Sequence, residues 1–263
     1  MKYALVTGGS SGIGLEYVRQ LAEMGHNVLI VSNRTEENER VAEEIRRRYS
    51  VTAGAIYADL SKEDCAQELY AWCKDHHAEV EILVSNAGIL HFGKLVHTDP
   101  SAIDRIMAIH CTTPAKLCRL FGAEMAERHS GHILLMSSIT AWTPLPTMSL
   151  YGATKTFLKN FSQSLWYELR DEGVSVTTVF PSAVDTPFYE LDDKIRKRLR
   201  KVGLMISAEE LARKALHAMF HRRRTCTPTF WAKLQVFLCK LMPAHAYVPL
   251  LKIPALRKIL IRL

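Results

Sequence analysis

The 263-residue sequence has no uninterrupted apolar run of the roughly 18 residues needed to cross a bilayer as a helix, so no transmembrane segment is expected. Its opening stretch, MKYALVTGG, has one cation and too short an apolar core for a secretory leader. CxxC pairs are missing among the six cysteines, Cys65, Cys73, Cys111, Cys118, Cys226 and Cys239. Cys111 and Cys118 could be taken for a redox or metal pair. Scattered thiols instead fit buried or idle side chains in a reducing compartment, and a cytoplasmic location is expected. The 11 histidines show neither HExxH nor another paired-ligand spacing, which argues against zinc or any other metal. Internal repeats, low-complexity tracts and linker-like segments are absent before residue 190.

Acid is what the end of the chain lacks. Residues 1–190 hold 17 Lys/Arg against 23 Asp/Glu, residues 191–263 hold 17 against 4, and residues 234–263 have no acid at all. In KIRKRLRK, residues 194–201, Ile195 and Leu199 interrupt the cations. Further on, Leu, Val, Ile and Phe alternate with Lys240, Lys252, Arg257, Lys258 and Arg262. Such a tail implies an anionic partner. An amphipathic basic tail can lie peripherally in a membrane surface, or it can dock on the fold or on a second subunit. Its apolar content exceeds what phosphate contact needs, so no nucleic-acid partner is expected.

What is present alternates regularly. Short runs rich in β-formers, YALVTG, NVLIVS, TAGAIYA, EILVSNAG, GHILLMSS and VSVTTVFP, are separated by helical patterns over 12–24, 35–49, 62–76, 101–128 and 151–172. Strands apolar on both faces, with helices between them, predict an α/β fold: a doubly wound parallel sheet in a single domain, with a basic amphipathic C-terminal extension.

The first strand runs directly into TGGSSGIG, residues 7–14. A glycine loop between a parallel strand and a helix suits a phosphate, because the helix start offers unpaired N–H groups and partial positive charge. Gly8 permits a tight turn, Gly12 a close approach to a pyrophosphate, and Gly14 the packing of helix on strand. Ser10 and Ser11 add hydroxyl donors beside Ile13. A structural turn without a ligand is the competing reading. At the end of the second strand stand Asn33 and Arg34, where an acid would favour NAD(H) by binding a ribose hydroxyl. An arginine there pairs with a 2′-phosphate, which favours NADP(H) over NAD(H), unless Arg34 is merely solvated.

YGATK, residues 151–155, opens a helical pattern continued by Phe161, Leu165 and Leu169. Tyr151 and Lys155 stand at i and i+4, hence on one face. A phenol titrates near about 10, and a neighbouring ammonium lowers that value toward the range useful for proton transfer. Ser138 precedes Tyr151 by 13 residues, at the carboxyl edge of the sheet, where a hydroxyl can bond a substrate oxygen as charge develops. Ser137 is its bland neighbour.

These motifs, in this order, resemble the short-chain dehydrogenase/reductase family from Lys2 to about Phe188, and more loosely to about residue 233. TGGSSGIG is similar to the family's glycine loop, and Asp59-Leu60 to its adenine contact. Asn86-Ala87-Gly88 fits the motif that steadies the sheet, and Ser138, Tyr151 and Lys155 fit the catalytic residues. Pro181 opens PSAVDT, in which Ser182 stands for the family's glycine and Thr186 is retained for the nicotinamide amide. The resemblance implies a Rossmann-like catalytic domain over 1–233, an extension over 234–263, and NADP(H)-dependent interconversion of a ketone or aldehyde with an alcohol. It also implies a homodimer or homotetramer. An NAD(H)-linked hydroxysteroid-type enzyme and a nucleotide-sensing regulator are the alternatives. Trp142, Leu145, Met148 and Leu150 suit an apolar, lipid-like or steroid-like substrate. His110 stands where many members carry an asparagine, either in that residue's place or as a packing side chain.

Overall fold

The computed structural model describes residues 1–143, 145–186, 193–201, 203 and 205–241. Residues 187–192 lie outside the described residues. So do residues 242–263, which hold most of the basic tail, including Lys252, Arg257, Lys258 and Arg262.

Six strands follow the predicted alternation: β1 (Lys2–Thr7), β2 (Asn27–Ser32), β3 (Ala53–Tyr57), β4 (Glu79–Ser85), β5 (Gly131–Met136) and β6 (Val174–Val179). The helices between them are α1 (Gly12–Glu23), α2 (Thr35–Arg48), α3 (Cys65–Asp75), α4 (Pro100–Met107), α5 (Thr113–Glu127) and α6 (Ser149–Leu169). Shorter pieces follow: β7 (Ala183–Asp185), α7 (Asp193–Lys201), β8 (Met205–Ser207), α8 (Ala208–Phe220), β9 (Thr225–Cys226) and α9 (Phe230–Leu241). The main sheet has the order β3-β2-β1-β4-β5-β6-β9 with every pairing parallel, and β7 and β8 form a separate parallel pair.

Side-chain alternation divides each strand between two cores. Ala4, Val6, Val28, Ile30, Ile82, Val84, Leu134 and Met136 face one layer with α1, α2 and α8. Leu5, Leu29, Val31, Leu83, Ile133 and Leu135 face the other with α3, α5 and α6. Both faces of the sheet are thus apolar, as parallel strands under two helical layers require. Strand order reverses between β1 and β4, which opens a crevice at their carboxyl ends.

The pattern predicted as one helix over 101–128 is divided. Pro114 has no N–H and its ring collides with the carbonyl four residues back, that of His110. The chain passes this point through one π-helical turn, Ala108–Thr112, between α4 and α5. The short β7, β8 and β9 escape periodicity because two or three residues cannot display alternation. At the far end α9 runs across residue 233, the expected boundary of the extension, and packs on the turn at Ile139–Ala141.

One buried amide fixes the turn that follows β2. Asn38 Nδ2 donates to the carbonyls of Ser32 and Ile56, at 3.1 and 2.9 Å, and its Oδ1 accepts from Ser32 Oγ at 2.6 Å. The side chain therefore ties α2 to β2 and β3 below Asn33 and Arg34. Asn38→Ala removes all three of these bonds, leaves the Ser32 carbonyl with the Ala58 N–H alone, and is expected to destabilise the fold by about 2–4 kcal/mol. Urea unfolding of the two proteins measures this.

Candidate active site

The crevice is a cleft of about 730 Å³. Its lining brings together Gly8, Ser10, Ser11, Gly12, Ile13, Asn33, Arg34, Asp59, Leu60, Asn86, Ala87, Gly88, Ser138, Tyr151, Lys155, Pro181 and Thr186. Gly14 alone of the sequence-predicted site residues lies behind the lining. A Cβ on it would stand 2.0 Å from the Gly8 carbonyl oxygen, so α1 reaches its position only because this residue has no side chain.

The floor is built by backbone. Gly8 and Gly12 adopt φ of 67° and 56°, in the left-handed region that glycine enters without penalty. Gly8 N–H donates to the Val31 carbonyl at 2.7 Å, which pins the loop to β2. Thr7 Oγ1 accepts from the N–H groups of Asn86 and Ala87, at 3.0 and 3.1 Å, while Asn86 Nδ2 donates to Thr7 O. The strand ends on either side of the crevice are thereby stitched together. Ser11 occupies the N-cap of α1 without a side-chain bond to the helix, so the first-turn amides remain directed at the cleft. Across from them stands Thr186, whose Cγ2 would lie 3.6 Å from a Cβ on Gly12.

At the adenosine end Arg34 and Asn33 are exposed at the rim. Asp59 accepts from Ser61 N–H and Ser61 Oγ, at 3.1 and 2.7 Å, and those bonds lower its carboxyl below the usual range. Arg105 and Ser182 also line the cleft, and sequence reasoning had not placed either in a binding role. Ser182 Oγ is buried without a hydrogen-bond partner among the described residues. A glycine loop at an uncapped helix start, a cation at the rim and an orphaned hydroxyl in the wall together fit a phosphorylated dinucleotide.

At the other end α6 brings Tyr151 and Lys155 to the edge of β5. Lys155 Nζ donates to the Met136 carbonyl at 2.8 Å and lies 5.5 Å from the centre of the Tyr151 ring. Ser137 Oγ donates back to the Lys155 carbonyl at 2.8 Å, so this serine braces the helix. Ser138 caps the turn at Ile139–Ala141, its Oγ accepting from Thr140 N–H at 3.1 Å. That bond uses a lone pair and leaves the hydroxyl hydrogen to point at a carbonyl oxygen.

His110, in the π-helical turn, is 1 % exposed. Its Nε2 accepts from Ile89 N–H at 2.9 Å. Thr154 Oγ1 donates to the Tyr151 carbonyl, so its bond with His110 Nδ1, at 2.9 Å, is donated by the imidazole. Both ring nitrogens are engaged and the tautomer carries its hydrogen on Nδ1. Burial first, and the Lys155 charge second, hold this imidazole well below its usual range. The ring also meets Tyr151 edge to face at 5.7 Å. Of the two readings of His110, the structure supports a side chain that links the Ile89 loop to α6.

The apolar residues expected beside the catalytic pair are distributed differently. Trp142, Leu145 and Met148 line a second cavity of about 490 Å³, with Thr140, Gly152 and Thr156, and Leu150 is not part of its lining. No described residue lines both cavities. Apolar residues lining the main cleft include Ile89, Leu90, Ile109, Met136 and Val184.

Burial lowers the Lys155 ammonium from 10.5 to about 8. Between those values the unfolded chain binds more protons at this site than the folded one, so the lysine's contribution to stability rises with pH across that window. Below the window a buried charge is carried at full cost. Lys155→Met is therefore expected to gain most in stability over the parent below about pH 8, and to lose that advantage toward about pH 10.5. Melting curves of the pair across this range check it; a pH-independent difference contradicts it.

The family model for short chain dehydrogenases matches residues 2–196. A 17-beta-hydroxysteroid dehydrogenase type 3 of Mus musculus is 34% identical over 201 residues, 74% of this chain and 65% of that protein. A very-long-chain 3-oxoacyl-CoA reductase of Macaca fascicularis is 32% identical over 200 residues, 74% of this chain and 62% of that protein. The chain thus spans less than two thirds of the length of these two relatives. Among solved structures, a short-chain dehydrogenase from Sphingobium yanoikuyae in complex with NADPH superimposes with a TM-score of 0.79. It is 26% identical, with 92% of this chain and 95% of that one covered. Sequence and fold agree from β1 through the catalytic helix, and the chain belongs to the short-chain dehydrogenase family.

Proposed function

We propose that the protein is an NADP(H)-dependent oxidoreductase that interconverts a ketone or aldehyde with an alcohol, and that its substrate is apolar. One observation carries this reading: a single cleft joins the glycine loop and Arg34 at one end to Ser138, Tyr151 and Lys155 at the other. Bound dihydronicotinamide supplies hydride. Tyr151 Oη gives its proton to the substrate oxygen as negative charge develops there, or removes it in the reverse direction. Lys155 holds the nicotinamide ribose and favours the phenolate through its nearby charge. Ser138 Oγ donates to the same oxygen and orients the carbonyl. Thr186 would hold the carboxamide, and Asp59 and Leu60 would hold the adenine.

Arg34 supports the choice of NADP(H). Its exposed guanidinium makes no ion pair with a described residue and stands where a 2′-phosphate would arrive. Two relatives are named for steroid and very-long-chain acyl substrates, and the wall formed by Ile89, Leu90, Ile109 and Val184 is compatible with a substrate of that character. A cytoplasmic location is supported by six cysteines that form no disulfide. Assembly as a dimer or tetramer through α5 and α6 is supported by the exposed Phe157 and Tyr167. The catalytic domain, expected over residues 1–233, is taken to continue through the end of α9 at Leu241.

Tyr151→Phe is expected to lower kcat by about a hundred- to ten-thousandfold while NADPH fluorescence titration shows unchanged binding. A near-normal rate in this variant refutes the mechanism. Arg34→Ala is expected to reduce kcat/KM for NADPH about ten- to a hundredfold and to leave the NADH value unaltered. Equal use of both cofactors by the parent refutes the cofactor choice. Both are read with ketones graded by chain length, where failure on every long-chain member with good turnover of small polar carbonyls rejects the apolar substrate.

A further inference from the structure

One side of α9 is held by the fold. Ala232 is buried, Cys239 Sγ lies 2.9 Å from Thr143 Oγ1, and Lys240 Nζ stands 4.8 Å from the centre of the Trp142 ring. The other side carries Phe230, Trp231, Phe237, Leu238 and Leu241, exposed by 72, 48, 57, 45 and 65%. At helical spacing these five residues fall on one arc of about 120°. Lys233 and Lys240, both exposed, lie beside one edge of that arc, with Lys240 on the side that meets Trp142.

The aromatic start of α9 adjoins a basic helix. A Cβ on Gly203, just beyond α7, would be 3.4 Å from Trp231 Cδ1. Along α7, Lys197, Arg198 and Arg200 are exposed. Among the side chains described here, the acid at this end is Asp185, and it is already paired with Arg196 and Arg200, at 2.9 and 3.3 Å. Large apolar side chains bordered by uncompensated cations therefore share one surface.

We propose that this face of α9, with the flanking cations of α7, docks peripherally on an anionic lipid bilayer. Aromatic and leucine side chains settle at the boundary of headgroups and acyl chains, and lysines and arginines beside them draw anionic headgroups. A second copy of the chain is the poorer occupant. A two-fold contact through this face would bring Lys197, Arg198, Lys233 and Lys240 of both copies together, with no unpaired acid beside them among the described side chains. The proposal goes beyond the catalytic reading and does not depend on it. It assigns the lipid contact to an ordered helix beside Trp142 and Thr143, which line the second cavity.

The test is co-sedimentation of the full chain with sucrose-loaded vesicles of phosphatidylcholine, with and without phosphatidylglycerol. The parent is expected to bind the phosphatidylglycerol vesicles. Phe230→Ser/Phe237→Ser/Leu241→Ser is expected to bind them about tenfold more weakly while keeping its melting temperature and its NADPH oxidation with a soluble ketone. Lys197→Glu/Arg198→Glu is expected to abolish the preference for anionic vesicles. No binding by the parent, or equal binding by parent and apolar variant, overturns the proposal. So does a change in solution mass on introducing the apolar variant, since the face would then be a contact between protein chains.

Discussion

Two hydrogen bonds running in opposite directions join the end of β5 to the start of α6. Lys155 gives one to the Met136 carbonyl, and its own carbonyl receives one from Ser137. A cation enclosed this completely is costly, and burial alone would favour its neutral form. The tie offsets part of that cost and leaves the helix one position on the strand. Tyr151, one turn earlier, is then held near the ammonium, and Ser138, one residue after Ser137, faces the same space. Catalytic geometry here is a property of the joint between strand and helix more than of either element.

The opposite wall depends on closeness of another kind. Gly14 lets α1 approach the Gly8 carbonyl, and Thr7 fastens Asn86 and Ala87. One end of the cleft is therefore shaped by what is left out of side chains and the other by a charge that is put in. Both devices sit where the strand order reverses, so both line one crevice, the site proposed for the dinucleotide and the reacting carbonyl.

Much of this was legible in the residues. Strands apolar on both faces announce themselves, and Asn27–Ser32 matches its predicted bounds. TGGSSGIG and YGATK were visible because each compresses its physical requirement into a few neighbouring positions. The hidden parts depend on long-range contact. Asn38 reads as one more polar residue in an acidic helix, and only the fold brings the Ile56 carbonyl to it. Arg105 carries no local pattern that marks a cleft, and Ser182 lies in PSAVDT only as the residue in the family glycine's place. Pro114 was visible, yet its effect, a widened turn that turns His110 toward α6, needed the helix axis on both sides. The apolar cluster near Ser138 was read as the substrate wall, whereas Trp142, Leu145 and Met148 enclose their own space.

His110 has a consequence for how protons travel. Its Nε2 already accepts a main-chain hydrogen, and its Nδ1 hydrogen is already given to Thr154. An added proton would set the Nε2 hydrogen head to head with the Ile89 N–H and break the bond that holds that loop. This imidazole is a rivet rather than a relay. In the proposed mechanism, replenishment of the tyrosyl hydrogen between cycles then bypasses this ring, through the amine of Lys155 or directly from solvent entering the crevice.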